Sequence, residues 1–188
     1  MKRQALIDAS VQPGGRAPAP DELELVQAFV NTVDREHGPD LLDDDASWHA
    51  WCRRRGLDAR AASREDARAV REALRALLWT HSARVVPGME REVVHGVLDA
   101  AADAAGLRVR FGPARVEPRP GDPVGAALAQ AFAAMADGSW GRLKACPGER
   151  CGWAFYDRSV NASATWCSMR VCGGRAKARA YYRRRAAG

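Results

Sequence analysis

Between residues 21 and 137, apolar side chains return every three or four positions in stretches separated by glycine, proline and acidic residues, so the chain reads as helical. Leu25, Val26, Phe29, Val30 and Val33 predict a first helix that Asp21 can cap and Gly38-Pro39 ends. Asp43 to Asp45 cluster at the start of a short second helix that carries Trp48, Trp51 and Cys52 and stops at Gly56. Ser63 and Asp66 form a capping-box-like Ser-x-x-Asp ahead of a longer helix with Ala67, Val70, Leu74, Leu77, Leu78 and His81 on one face. Beyond a break at Pro87-Gly88, Val93, Val94, Val97, Leu98 and Ala101 predict another helix, closed by Gly106. Leu107 to Phe111 and Ala114 to Glu117 read as two short strands joined at Gly112-Pro113. Asp122-Pro123 starts a helix to about Asp137, because proline suits the first helical position. The expected fold class is mainly α with a small β-hairpin, α+β.

Punctuation and composition divide the chain further. Pro13, Gly14, Gly15, Pro18 and Pro20 predict a flexible segment over residues 1–20. A helical domain over 21–138 follows, and Gly138 to Gly141 lead into a last unit over 139–188. Residues 140–188 hold eleven Lys/Arg against two Asp/Glu, a formal +9, whereas residues 1–139 sum to −3. A basic unit on a slightly acidic body suits a polyanionic partner better than mere solubility. Arginine outnumbers lysine 26 to 3, which fits a GC-rich bacterial genome. No run is long and apolar enough to span a membrane, and no secretory signal pattern opens the chain, so the cytoplasm is the expected location.

Four of the five cysteines fall in the last unit as Cys-x4-Cys, a gap of fifteen residues, and Cys-x4-Cys: Cys146, Cys151, Cys167 and Cys172. Two close pairs across such a loop match a structural zinc site, each pair supplying one edge of a tetrahedron. Pro147-Gly148 favours the tight turn that aims the first pair inward. Disulfides, free reactive thiols and a catalytic zinc fit less well: the cysteines cluster in a chain expected in the cytoplasm, and none of His37, His49, His81 and His95 lies nearby. Cys167 and Cys172 would point about 140° apart on one regular helix, so Cys167 should precede a helix that holds Cys172 in its first turns, with Ser168 near the cap. Trp153, Phe155 and Trp166 are expected to cover the metal as a minimal core.

From Arg170 onward there are seven basic residues and no acidic one. A helical projection puts Met169, Cys172, Ala176 and Ala180 on a face that should pack on the zinc unit. It puts Arg170, Lys177, Tyr181 and Arg184 on one flank and Arg175, Arg179 and Tyr182 on another. Such a helix can approach DNA phosphates or enter a major groove, and a solvated terminal charge run is the alternative.

The stretch Cys146…Cys151-Gly152-Trp153-Ala154-Phe155-Tyr156-Asp157…Trp166-Cys167-Ser168-Met169…Cys172-Gly173-Gly174-Arg175 resembles the CGNR zinc finger, with Gly174 standing where that family has asparagine. Phe29-Val30-Asn31-Thr32-Val33 and Leu42…Trp51…Gly56-Leu57 resemble the ABATE domain that accompanies such fingers. The resemblance implies a bacterial transcription regulator whose finger is the DNA-binding part.

The leading expectation is therefore a DNA-binding regulator and not an enzyme, with one structural Zn²⁺ on Cys146, Cys151, Cys167 and Cys172. Nucleic acid should be contacted by Arg170, Arg175, Lys177, Arg179 and Arg184. A zinc-stabilised protein-interaction or RNA-binding module is the alternative. The helical domain would act as a sensor or oligomerisation unit, with a small-molecule effector and a second copy as further partners. Asn31 and Thr32 are candidates for an effector pocket, which Arg35, His37, Trp48 and Trp51 could line. Their plainer reading is closure of a helix end by backbone hydrogen bonds. Cys52 reads as a half-buried small hydrophobe.

Overall fold

The computed structural model describes residues 12–82 and 90–186; the expected break at Pro87-Gly88 lies outside them. Helices form where an apolar stripe meets a cap. The first, α1 (Leu23–Val30), buries Leu23, Val26, Phe29 and Val30. It starts without a side-chain cap: Glu22 holds the N-cap position, and Asp21 lies in the left-handed region at φ 47°. It also ends earlier than Gly38. Thr32 Oγ1 donates to the Phe29 carbonyl at 2.9 Å, and Val33 leaves the helical course to bridge Asp40.

The later starts follow the sequence closely. In α2 (Asp45–Arg54), Asp44 accepts from the Ser47 amide at 2.9 Å. In α3 (Arg64–Thr80), the Ser63 hydroxyl accepts from the Asp66 amide at 3.0 Å and donates to the Asp66 carboxylate at 2.7 Å. Then come α4 (Arg91–Ala104) and an antiparallel hairpin of β1 (Arg108–Phe111) with β2 (Ala114–Glu117), in register Arg108 to Glu117. Asp122 accepts from the amides of Val124 and Gly125 to open α5 (Pro123–Asp137), which Gly138 closes at φ 82°. A second hairpin, absent from the expected fold, pairs β3 (Leu143–Ala145) with β4 (Ala154–Tyr156). A helix α6 (Gly174–Ala186) completes the described chain.

The core is built on aromatic packing between α1 and α2. The Trp48 and Trp51 rings stack 5.2 Å apart, and Phe29 tilts against both at 6.4 and 6.0 Å. This core does not stop at residue 138. Trp140, Leu143, Ala145 and Ala154 belong to the same buried cluster as Phe29, Leu74 and Trp79. Polar groups cross the same seam. Asn31 Nδ2 donates to the Ala154 carbonyl at 2.9 Å, and Asn31 Oδ1 accepts from the Ala154 amide at 2.8 Å. One side chain thus pairs with β4 as a neighbouring strand would.

Two arginines sit inside this seam. Arg75 has no exposed side-chain surface; it donates to the carbonyls of Val30 (2.6 Å) and Gly152 (2.5 Å) and to Glu72 (3.1 Å). Arg71 forks onto Asp40 at 2.6 and 2.8 Å and also reaches Thr32 Oγ1 and Glu72. Burial alone would raise the Glu72 carboxyl, but Arg75 and Arg71 outweigh it and hold that group below the usual carboxylate range. A charge removed from this network would leave its partner buried and unpaired, so it holds the two halves in one arrangement.

Residues 12–20 depart from the expected flexibility. Gln12 and Ala19 are buried, and Gln27 Oε1 accepts from the Ala19 amide at 2.6 Å. Arg158 also donates to the Pro18 carbonyl at 2.7 Å. Prolines and glycines broke the helical pattern here without freeing the segment, because its polar groups find partners on the finger and on α1.

Replacing Asn31 by alanine leaves the buried Ala154 amide without an acceptor, a cost of about 1–3 kcal/mol. The loss for Asn31→Asp should be at least as large, since a carboxylate oxygen would then face the Ala154 carbonyl. Urea unfolding of the three proteins at one zinc concentration checks both.

Candidate metal centre and basic helix

The first cysteine pair lies on a knuckle that leaves β3. Cys146 donates its amide to the Trp153 carbonyl at 2.9 Å and accepts from the Gly152 amide at 3.2 Å, while the Cys151 amide bonds the Gly148 carbonyl at 3.0 Å. These bonds fold Pro147 to Arg150 outward and leave both sulfurs on the inside. Gly148 is needed for closeness: a Cβ there would meet Cys151 Cβ at 3.1 Å and the sulfurs of Cys146 and Cys172 at 3.5 Å. Gly152 combines φ +63° with an approach in which a Cβ would meet Arg35 at 3.0 Å and Trp79 at 3.1 Å.

The second pair solves the five-residue spacing with a π-helical turn over Met169–Gly173. Ser168 caps it, accepting from the Val171 amide, and the Gly173 amide reaches back five residues to the Ser168 carbonyl at 3.0 Å. In this wider turn Cys172 comes round to Cys167, which a regular α-helix would point away, and their sulfurs lie 3.7 Å apart. The sulfurs of Cys151 and Cys167 are 3.6 Å apart, and all four lie within 4.8 Å of one another. Four sulfurs about 2.3 Å from a tetrahedral zinc are separated by about 3.8 Å, whereas a disulfide needs about 2.05 Å. The four cysteines form the site of one structural zinc and fill its coordination, leaving no position for a reactive water.

The four thiols also act on one another. Hydrogen bonds from Cys151 and Cys167 hold the Cys146 thiol far below its ordinary value, and Cys146 in turn pushes both of those thiols up. Burial pushes Cys172 up as well. Four thiolates this close repel one another unless a divalent ion neutralises them.

Around the sulfurs, Trp153 and Phe155 are buried and Trp166 partly so, forming the expected small core. Arg16 stacks 5.1 Å over the Phe155 ring and donates to the carbonyls of Cys167 and Trp166 at 2.8 and 3.1 Å. Trp153 Nε1 donates to Gln12 Oε1 at 2.9 Å, and Trp79 Nε1 to the Cys146 carbonyl at 3.1 Å.

The loop between the pairs is organised by Asp157, a residue whose role the spacing did not reveal. Its carboxylate accepts from Lys144 Nζ at 2.8 Å, from the Ser159 amide and hydroxyl at 2.9 and 2.6 Å, and from the Ala164 amide at 2.8 Å. Lys144 also donates to the carbonyls of Ala162 and Ala164. Burial would raise this carboxyl, but the bonds from Lys144 and Ser159 outweigh it and hold Asp157 at about 2. An acid directly after β4 and a lysine in β3 were the available signal.

The basic helix projects from the centre. None of α6 is buried, Ala176 and Ala180 are half-buried, and Met169 is 53% exposed. Of the expected packing face, Cys172 is buried and the two alanines partly so, whereas Met169 stands in solvent. Arg170 falls in the π turn, so the projection that grouped it with Lys177 and Arg184 does not hold for it. Arg170, Arg175, Lys177, Arg179 and Arg184 are all exposed. Arg175 is paired with Glu36 at 2.5 Å; the other four make no ion pair among the described residues. Gly174 has φ −62°, and a Cβ there would meet only the Met169 carbonyl at 3.7 Å, so the turn neither requires glycine at this position nor excludes asparagine.

Asn31 and Thr32 are brought to the seam, not to a cavity. They are 1% and 0% exposed and spend their polar atoms on Ala154, Phe29 and Arg71. This overturns the effector-pocket expectation: Thr32 closes the helix end on Phe29 as the plainer reading has it, whereas the Asn31 side chain bonds β4 instead. Arg35, His37, Trp48 and Trp51 do not converge either. The tryptophans are core, Arg35 stacks on Trp79 and pairs with Glu72, and His37 bonds Asp34 at 2.7 Å. Cys52 is fully buried, beyond the half-burial expected, and burial pushes its thiol to about 12.

Two family models match the chain. The CGNR zinc finger matches residues 142–185. The ABATE domain, described as "Putative stress-induced transcription regulator", matches residues 7–139. No curated protein matches the sequence.

Protein purified without added metal should contain about one equivalent of zinc by atomic emission, and Cys172→Ala should lose most of it. Because the core is continuous across residue 138, a chelator should also speed hydrogen exchange of the α1 amides, not only those of the finger. Asp157→Asn should cost on the order of 2 kcal/mol at neutral pH, since the depressed folded pKa stabilises the protein only above the unfolded value. The wild-type advantage over Asp157→Asn should shrink below pH of about 4 and vanish as pH falls through about 2; taking the difference cancels the acid sensitivity of the thiolates.

Proposed function

Because the chain belongs to the ABATE family and carries a CGNR zinc finger, we propose that it is a transcription regulator that binds duplex DNA through α6 and the π turn before it. The observation that carries this reading is α6 itself, a helix with six basic and no acidic residues and none of it buried, preceded by the exposed Arg170 in the π turn. Its start is fixed by Cys172 and the Ser168 cap, so the charge is presented in a definite direction. Arg170, Lys177, Arg179 and Arg184 are free to meet phosphates, contacts that position a protein without reading sequence. Arg175, three residues after Cys172 and lining one hollow with Cys151 and Cys172, is the candidate for a base or an ordered phosphate. To serve so it must exchange Glu36 for the nucleic acid. The helical domain acts as the sensing or oligomerising unit. No helix among the described residues is long and apolar enough to cross a membrane.

Lys177→Ala should weaken duplex binding about equally for all sequences and reduce the slope of log affinity against log salt by roughly one unit. Replacing Arg170, Arg175, Lys177 and Arg179 together by alanine should abolish duplex binding at moderate salt while zinc content and fold persist. Fluorescence anisotropy with labelled DNA and RNA duplexes over a salt series measures both effects. Unchanged affinity in the fourfold variant would assign α6 to a solvated surface, and a preference for RNA would move the reading to the RNA-binding alternative.

A further inference from the structure

Helix α4 is underused by the fold. Its stripe of Val94, Val97, Leu98, Ala101 and Ala102 faces the core, yet only Val94 is fully buried and the other four are partly so. Two cavities flank the helix. One, of about 470 Å³, lies beside Val97 and Ala101 and is rimmed by charges of both signs, Arg60, Asp66 and Arg119 among them. The other, of about 320 Å³, opens between α3, α4 and α5. Its walls come from Leu74 and Leu77, Leu98, Leu107, and Leu128 and Phe132. Phe132 is 55% and Met135 43% exposed at its edge, an arrangement that leaves apolar surface in water.

The side-chain polar groups of this second cavity are two, His95 and Asp99, one turn apart on α4. Both are exposed, and neither has a hydrogen-bond or ion-pair partner among the described residues. An apolar hollow of this size with a few placed polar groups has the form of a small-molecule site. The charge decides the class of occupant. An anion would face the Asp99 carboxylate, and a neutral apolar molecule closing over it would strip water from it without replacement. An ammonium group meets Asp99 as a counter-charge and can donate to the imidazole of His95.

We infer that this cavity binds one small amphipathic amine, its apolar body between α3, α4 and α5 and its cationic head at Asp99. The volume holds on the order of ten atom-sized groups at about 30 Å³ each. This deepens the sensing role proposed for the helical domain and does not depend on DNA binding by α6. Two exposed apolar residues make a poor dimer patch beside the roughly 800 Å² per partner that a stable interface buries.

The test uses the full, zinc-loaded chain and three probes of equal length, decylamine, decanol and decanoate, below their aggregation concentrations, by titration calorimetry. Decylamine should bind saturably at one per chain, about tenfold tighter than decanol, with decanoate weakest. Asp99→Asn should bring decylamine down to the level of decanol. Met135→Trp, at the exposed edge, should weaken all three while zinc content and the unfolding midpoint stay near wild type. The proposal is overturned if none binds saturably, if decanoate matches decylamine, or if neither variant changes the affinities. It is also overturned if sedimentation shows a dimer that Phe132→Glu dissociates and decylamine does not enter. Decylamine binding in a chain that ignores duplex DNA supports the site and removes only the regulator reading.

Discussion

A short run of irregular backbone, from Cys146 to Ala154, has to satisfy two demands at once. Its sulfurs must converge on a cation, and the amides and carbonyls of its buried residues, held between the metal and a helical core, must find partners away from water. Polar side chains of the helical half answer the second demand. Asn31 takes both ends of Ala154, Arg75 takes Gly152, and Trp79 takes Cys146. The finger is therefore held by directional bonds to its backbone as well as by its own metal, and the helices are arranged around those bonds.

Charge is used in two ways on either side of this seam. Inside it, buried Arg71, Arg75, Lys144 and Asp157 and partly buried Glu72 and Asp40 form paired sets, where the gain is a single arrangement more than net stability. Outside, on α6, like charges stand exposed with no counter-charge among the described residues but Glu36 on Arg175. Such a surface is stable in water, is screened by salt, and favours a polyanion.

Much of the helical frame was legible because capping chemistry is local: Asp44, Ser63 and Asp122 bond their own first turns as their spacing requires. The metal ligands were legible because four thiols in paired spacing have few other uses. What escaped was whatever depends on contact across the chain. Arg71 and Arg75 lie four apart on the core side of α3, where a periodicity reading treats arginine as solvent-facing. The β3–β4 hairpin has strands of three residues, too short for alternation to register. The π turn was the third omission, although the 140° conflict between Cys167 and Cys172 on a regular helix signalled that something other than an α-helix must form there.

The bonds that Asn31, Gln27 and Arg75 make to Ala154 and Gly152 bear on how such a finger can be inherited. A zinc module that satisfies its own backbone can be shuffled between unrelated proteins, because any linker will serve it. Here the module borrows its donors and acceptors from a particular asparagine, glutamine and arginine at fixed places in another part of the chain. Moved elsewhere alone, it would carry orphaned amides and carbonyls with it. The two halves are thus bound to travel as one heritable unit, and a change at Asn31 or Arg75 is a change to the finger.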